Sequence, residues 1–87
     1  MAYHLVTGST DLTTKGRRLN SWSLRATTAA VVNIRNASVS GDIVIPINIA
    51  LNASASQAYP TPQGLVFPAG VYVEVVSGAV VGSVDIV

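Results

Sequence analysis

Residues 42–51 alternate without a break: Ile43, Ile45, Ile47, Ile49 and Leu51 fall on one side, and Asp42, Val44, Pro46, Asn48 and Ala50 on the other. A period of two predicts a strand, because no helix gathers these five residues on one face. Pro46 has no backbone donor, so this strand belongs at a sheet edge or a bulge. The same period returns near the C-terminus, where Val71, Val73 and Val75 alternate with Tyr72, Glu74 and Val76. Ser77-Gly78 then predicts a two-residue hairpin turn, since glycine accepts a positive φ. A last strand runs from Val80 or Val81 through Val84 to Ile86. Leu65-Val66-Phe67, followed by Pro68-Ala69-Gly70, adds a short strand and a tight connection, so the three segments read as a meander.

The first half is less regular. Trp22, Leu24 and Ala26 alternate with Ser23, Arg25 and Thr27, and Val32 and Ile34 with Asn33 and Arg35. Residues 26–31 lack helix caps and hold two threonines, which predicts strand or bend. Residues 36–41 and 60–64 read as loops, and residues 53–59 as a strand of small side chains with Ser54, Ser56 and Ala58 facing one way. Residues 3–7 predict an edge strand and residues 8–16 a polar arm, so that residues 1–20 form an extended N-terminal arm or an edge strand. Turn signals every 8–12 residues or so are those of a sandwich or barrel. The expected fold is all-β: one domain over residues 1–87, a compact antiparallel β-sandwich, jelly-roll-like, of about seven to eight short strands.

Five valines, Val31, Val44, Val76, Val81 and Val87, fall on phases that alternation sends to solvent. Two explanations stand: that face packs on another chain, or the register is bulged. Composition sharpens the question. The 87 residues are 49% hydrophobic and 10% charged, against about 25% charged in ordinary soluble proteins. So few charges on so small a body predict that part of the surface is covered, by copies of the chain or by a scaffold. The net charge of +1 gives no general attraction to nucleic acid or anionic lipid. No apolar run approaches the roughly 20 residues of a membrane-spanning helix. The first residues lack the basic and apolar regions of a signal peptide, so Asn36-Ala37-Ser38 and Asn52-Ala53-Ser54 are chance matches to a glycosylation pattern and Asn36 is a turn residue.

Candidate chemistry is sparse. There is no cysteine, one histidine (His4) and four carboxylates, Asp11, Asp42, Glu74 and Asp85. Glu74 and Asp85 would approach across the last hairpin, but the turn sets Glu74 opposite Val81, and two solvated strand charges is the better reading. His4 is alone, beside a terminus expected to fray, and no serine sits in a nucleophile elbow. The expectation is no enzyme, no metal and no cofactor. Lys15-Gly16-Arg17-Arg18 is the one basic cluster. Without interleaved aromatics it suits an acidic protein surface better than nucleic acid. Trp22 and Phe67 fall on core phases. Tyr72 shares Glu74's face, where an exposed ring is an interface residue or a platform for a sugar.

The segments Ser21-Trp22-Ser23-Leu24-Arg25-Ala26, Val32-Asn33-Ile34-Arg35-Asn36-Ala37-Ser38 and Gly41-Asp42-Ile43-Val44 resemble small virion proteins of tailed bacteriophages. So does the run from Gly64-Leu65-Val66-Phe67 through Gly70-Val71-Tyr72-Val73 to Ser77-Gly78. The resemblance covers most of the chain after Ser21 and is carried by valine, glycine and turn positions, so it transfers a fold pattern and no site. It implies a virion structural protein, assembled in the host cytoplasm. The first reading is a decoration (cement) protein on the capsid exterior, bound between major capsid subunits and homo-oligomeric, with a trimer suiting three-fold positions. The alternative is a tail- or fibre-associated module that recognises a receptor or glycan. The expected partner contacts are Lys15, Arg17 and Arg18 in the arm, with backbone hydrogen bonds to a partner's sheet edge, and Tyr72 and Val76 on the outer face.

Overall fold

The computed structural model describes residues 3–38, 40–59 and 64–87. Seven strands appear in chain order: β1 (Tyr3–Val6), β2 (Thr10–Leu12), β3 (Arg18–Asn36), β4 (Ile43–Ile49), β5 (Ser54–Ala58), β6 (Leu65–Val66) and β7 (Val71–Ile86). All pairings are antiparallel and belong to one sheet. The fold is all-β, and it is sandwich-like because this one sheet is folded over on itself.

Two long strands make the frame. β3 has 19 residues and β7 has 16, and they pair along almost their whole length. β1 and then β2 line the free side of β7. β4, β5 and β6 follow one another along the free side of β3. Besides one slip near the strand end at Leu19/Ser21, the β3–β7 register slips at Ala26/Thr28, Thr28/Val31 and Val31/Val32, three slips within one short stretch. Such slips bend a strand pair. The bend divides the sheet into two layers. In the first, residues 18–26 of β3 and 80–86 of β7 lie with β1, β5 and β6. In the second, residues 30–36 of β3 and 71–77 of β7 lie with β2 and β4. The shortest dimension of the molecule, 17 Å, suits two stacked sheets about 10 Å apart plus their side chains.

The alternation read from the sequence sets what lies between the layers. Leu19, Trp22, Leu24 and Ala26 point in from the first layer, and Val32, Ile34, Ile47, Ile49, Val71 and Val73 from the second. Val6, Val80, Val84 and Ile86 complete the first layer's share, and Phe67 is fully buried from the connection between β6 and β7. The buried residues form one cluster. The end opposite the bend is closed by backbone bonds between connections. Arg17 and Arg18 N–H both donate to the Val87 carbonyl, at 3.1 and 3.0 Å, Phe67 N–H to Arg17, and Ala37 N–H to Gly70. Asn36 does serve a turn: Ala37 after it has a φ of 78°, and the Asn36 Oδ1 accepts from Ala69 N–H at 3.0 Å.

Three expectations are corrected. Ser77-Gly78 is no hairpin turn, and the C-terminal segments are no meander. β7 runs straight through Ser77 and Gly78, and both its halves pair with β3, as does β6. Gly78 is needed instead for the bend: its φ is 77°, and a Cβ there would lie 2.1 Å from the Ala29 carbonyl oxygen. The segments around Trp22 and Ile34 are one strand, since residues 26–31 bend without breaking it. Of the two expectations for the N-terminus, edge strand holds for β1 and β2, and there is no free polar arm over residues 8–16. Thr10, Asp11 and Leu12 pair with Val73, Tyr72 and Val71, and Val6 and Leu12 are buried. Pro46 lies, as expected, in an edge strand, opposite Asn33. Of the loop expected over residues 60–64, residues 60–63 lie outside the described residues.

Gly78 gives a direct test of the bend. Gly78→Ala should lower stability by at least about 1–2 kcal/mol, from the positive φ and the clash at Ala29. Gly8→Ala, where a Cβ meets nothing within 4 Å, should change it by less than about 0.5 kcal/mol. Urea denaturation of the two variants checks the contrast.

Candidate functional site

The outward side chains of the two layers differ in chemistry. On the second layer, the register sets Asp11, Tyr72 and Arg35 in one row across β2, β7 and β3, and Glu74, Asn33 and Pro46 in the next across β7, β3 and β4. At the centre Glu74 Oε1 accepts from Arg35 Nε at 2.9 Å and from Asn33 Nδ2 at 3.3 Å. Arg35 Nη1 also donates to the Gly41 carbonyl at 2.7 Å, tying the pair to the β3–β4 loop. These bonds hold the Glu74 carboxyl below its ordinary range, the Arg35 contact first and Asn33 second. Asp11, at the sheet edge, is lowered by its own local turn, since the Thr13 hydroxyl and N–H both donate to it.

Around this polar centre three valines stand on the second layer's outer face, beside the polar Asn48 and Ser77 that flank Val31 in register. Val31, Val44 and Val76 are exposed by 37%, 40% and 56%. Alternation had sent them outward, and they do stand outward. The bulged register expected as one explanation is present: Val44 sits at the β3–β4 slip between Ile34 and Arg35, and Val31 and Val76 at the β3–β7 slip between Val31 and Val32, yet all three side chains stay exposed.

The first layer's outer face is hydroxylated. Ser21, Ser23, Ser56 and Ser83, with Tyr3, Gln57 and Ala58, line a shallow groove of about 360 Å³ over Trp22. Trp22 itself is core, as its phase predicts, and its Nε1 donates to the Tyr59 hydroxyl at 3.3 Å.

The expected contact residues do not form one patch. Lys15, Arg17 and Arg18 sit at the closed-off end, in the connection before β3 and at its first residue, and all three are exposed. Arg17 Nη1 donates to the Pro68 carbonyl at 2.6 Å, so this side chain also fastens the β6–β7 connection. Tyr72 stands on the second layer's outer face, half-buried between Asp11 and Arg35. Val76 stands on the same face at the other end, by the bend. Sequence reasoning missed Arg35 and Asn33 as Glu74's partners. They are about forty residues away along the chain, and only the β3–β7 register brings them opposite.

The idea that Glu74 and Asp85 approach each other is corrected, because they lie in different layers. Asp85 is not a solvated charge either. It is 3% exposed and aligned between Tyr3 and Ser21. His4 is held in β1 opposite Val84, and its Nε2 is buried with no hydrogen-bond partner among the described residues. Among the described residues, no three His, Cys, Asp or Glu side chains gather into a group that would hold a metal ion. Likewise, no helix among them is long and apolar enough to cross a membrane. No family model matches the chain, and no curated protein or solved structure is found similar to it.

The Glu74 centre predicts acid sensitivity. Its folded pKa lies below the ordinary 4.5, so its contribution is complete above that pH and is lost as pH falls through the folded value. Urea midpoints measured from pH 6 down to pH 3 should fall less steeply for Glu74→Gln than for the wild type. Equal slopes would mean that the carboxylate contributes nothing to the folded state.

Proposed function

We propose that the chain is a bacteriophage virion structural protein, a decoration (cement) protein that binds between major capsid subunits on the head exterior. The observation that carries this reading is the second layer's outer face, where Val31, Val44 and Val76 stay in water around one fixed ion pair. A face of this kind suits a partner that buries the valines and leaves the Arg35–Glu74 bonds in place, since that pair is already satisfied within the chain. Tyr72 and Val76 contribute from this face. Lys15, Arg17 and Arg18 meet acidic groups of the neighbouring subunit. The arm expected to reach across to a partner drops out of the mechanism, because its backbone bonds are made within the chain. Many identical copies turn weak single contacts into firm attachment. The resemblance of the segments around Trp22 and Val71 to tailed-phage virion proteins is what points to a virion, head and tail alike, rather than another assembly.

A second reading, a tail- or fibre-associated module for a receptor or glycan, is favoured by the serine-lined groove. Hydroxyl groups beside Tyr3 match the hydrogen bonding and ring stacking that a neutral sugar needs. Tyr72, the earlier candidate for stacking, is less suited, being half-buried between charged neighbours.

Two measurements separate the readings. Virions stripped of the protein should lose resistance to heat and low salt, and adding back Val31→Lys/Val76→Lys should fail to restore it while the wild type succeeds. Unchanged resistance of the stripped particle would remove the cement role. Binding of the wild type on a glycan array, abolished by Ser23→Trp in the groove, would support the module instead.

A further inference from the structure

The outer edge of β5 differs from the other edges of this sheet. β4 carries Pro46, β2 is three residues long and carries Asp11, β6 has only two residues, and β1, which like β5 has no proline and no Asp, Glu, Lys or Arg, is four residues long and carries the bulky, exposed Tyr3 and Leu5. Charges, prolines and short length are how proteins keep sheet edges from pairing with other chains. β5, Ser-Ala-Ser-Gln-Ala, has five residues with no charge and no proline, and its register against β3 runs without a slip.

The backbone phase of this edge follows from the bonds at its two ends. Tyr59 N–H donates to the Asn20 carbonyl and Ala26 N–H to the Ala53 carbonyl. These pairs share the register that sets Trp22 opposite Gln57 and Leu24 opposite Ala55. In an antiparallel ladder hydrogen-bonded and non-hydrogen-bonded pairs alternate. Ala53, Ala55, Gln57 and Tyr59 therefore turn their backbone groups toward β3, and Ser54, Ser56 and Ala58 turn theirs away from it. Of these, Ala58 O receives a long 3.4 Å bond from the Gln57 side chain. No strand among the described residues pairs with this side of β5.

We propose that this edge pairs with the β5 edge of a second copy of the chain, antiparallel, about a two-fold axis at Ser56. An antiparallel strand is complementary to itself, so one surface serves both copies and the contact closes at two. Ser56 faces Ser56 of the second copy, and Ser54 faces its Ala58. Each facing pair exchanges both of its backbone bonds. The facing side chains are small and uncharged, so nothing repels. A foreign strand is selected by pockets for its side chains, and the face beside β5 offers only a shallow hydroxyl groove. A copy of β5 needs no pocket. The pairing joins the first layers of two copies into one continuous sheet and sets their serine grooves on either side of the axis. It yields a dimer, where the capsid analogy suggested a trimer, and it stands independently of the virion role, since it concerns the purified chain alone.

Sedimentation equilibrium on the full chain tests it. The wild type should be a dimer that dissociates on dilution, and its Ser56 amide should exchange more slowly as concentration rises. Ser56→Pro removes an outward N–H that no internal bond uses, so it should give a folded monomer by circular dichroism. Ser56→Lys and Ser56→Glu decide the matter if the proline variant fails to fold. Each alone should raise the dimer dissociation constant at least about ten-fold through like charges at the axis, and mixing them should restore a dimer of one copy of each. A wild type that stays monomeric at millimolar concentration, a trimeric mass, a dimer untouched by Ser56→Lys, or a mixture that stays monomeric would each overturn the proposal.

Discussion

The antiparallel pair of β3 and β7 is what every other strand depends on. Each remaining strand forms its ladder with one of these two, and among the described residues no ladder joins any of the others to each other. The pair must also bend, since a flat four-strand-wide sheet of this length would leave one apolar face in water. The register slips between Ala26 and Val32 supply the bend, and Gly78 allows the backbone of β7 to come close to Ala29 there. The apolar residues of both arms then face each other, and one sheet serves as both layers of a sandwich.

This construction explains how the outer faces come to differ. The bend turns the same side of the sheet outward in both layers, and the chain loads that side differently along its length. The arm of β3 with Ser21 and Ser23 meets Ser56 and Ser83, giving hydroxyls. The arm with Val31, Asn33 and Arg35 meets Val44, Glu74 and Val76, giving valines around an ion pair. Each face is thus assembled from segments far apart in the chain. The proposed capsid contact uses the valine face, and the proposed self-pairing uses the edge beside the serine face, so the two do not compete for surface.

Much of the fold was legible. The strict alternation of residues 43–51 and 71–76 identified two strands and the inward Ile47, Ile49, Val71 and Val73, because a period of two admits no other regular structure, but Ile43 at the start of β4 and Leu51 beyond its end share that phase and are exposed. Trp22, Phe67 and the outward valines were placed on the correct sides for the same reason. Pro46 marked an edge strand through its missing donor. The errors came where a local signal was ambiguous. Ser77-Gly78 suits a hairpin turn and a bend within one strand equally well, and its neighbours read the same in both cases. Taking it as a turn misplaced Glu74 and Asp85 together, since a hairpin would have put them on paired strands.

Single-chain patterning thus determined most of the strand residues, most of the inward positions within them, and how little ionisable chemistry the protein carries. These properties depend on side-chain type and on the two-residue repeat, both local. Tertiary structure alone decided which strands are neighbours, where the sheet bends, and that Glu74 meets Arg35 and Asn33. It also decided that residues 10–12 form a strand, because Thr10, Asp11 and Leu12 have no pattern of their own and are ordered by the open side of β7. Strand neighbours are set by hydrogen bonds between backbones that all look alike, so their choice rests on how the whole set of apolar faces is buried at once.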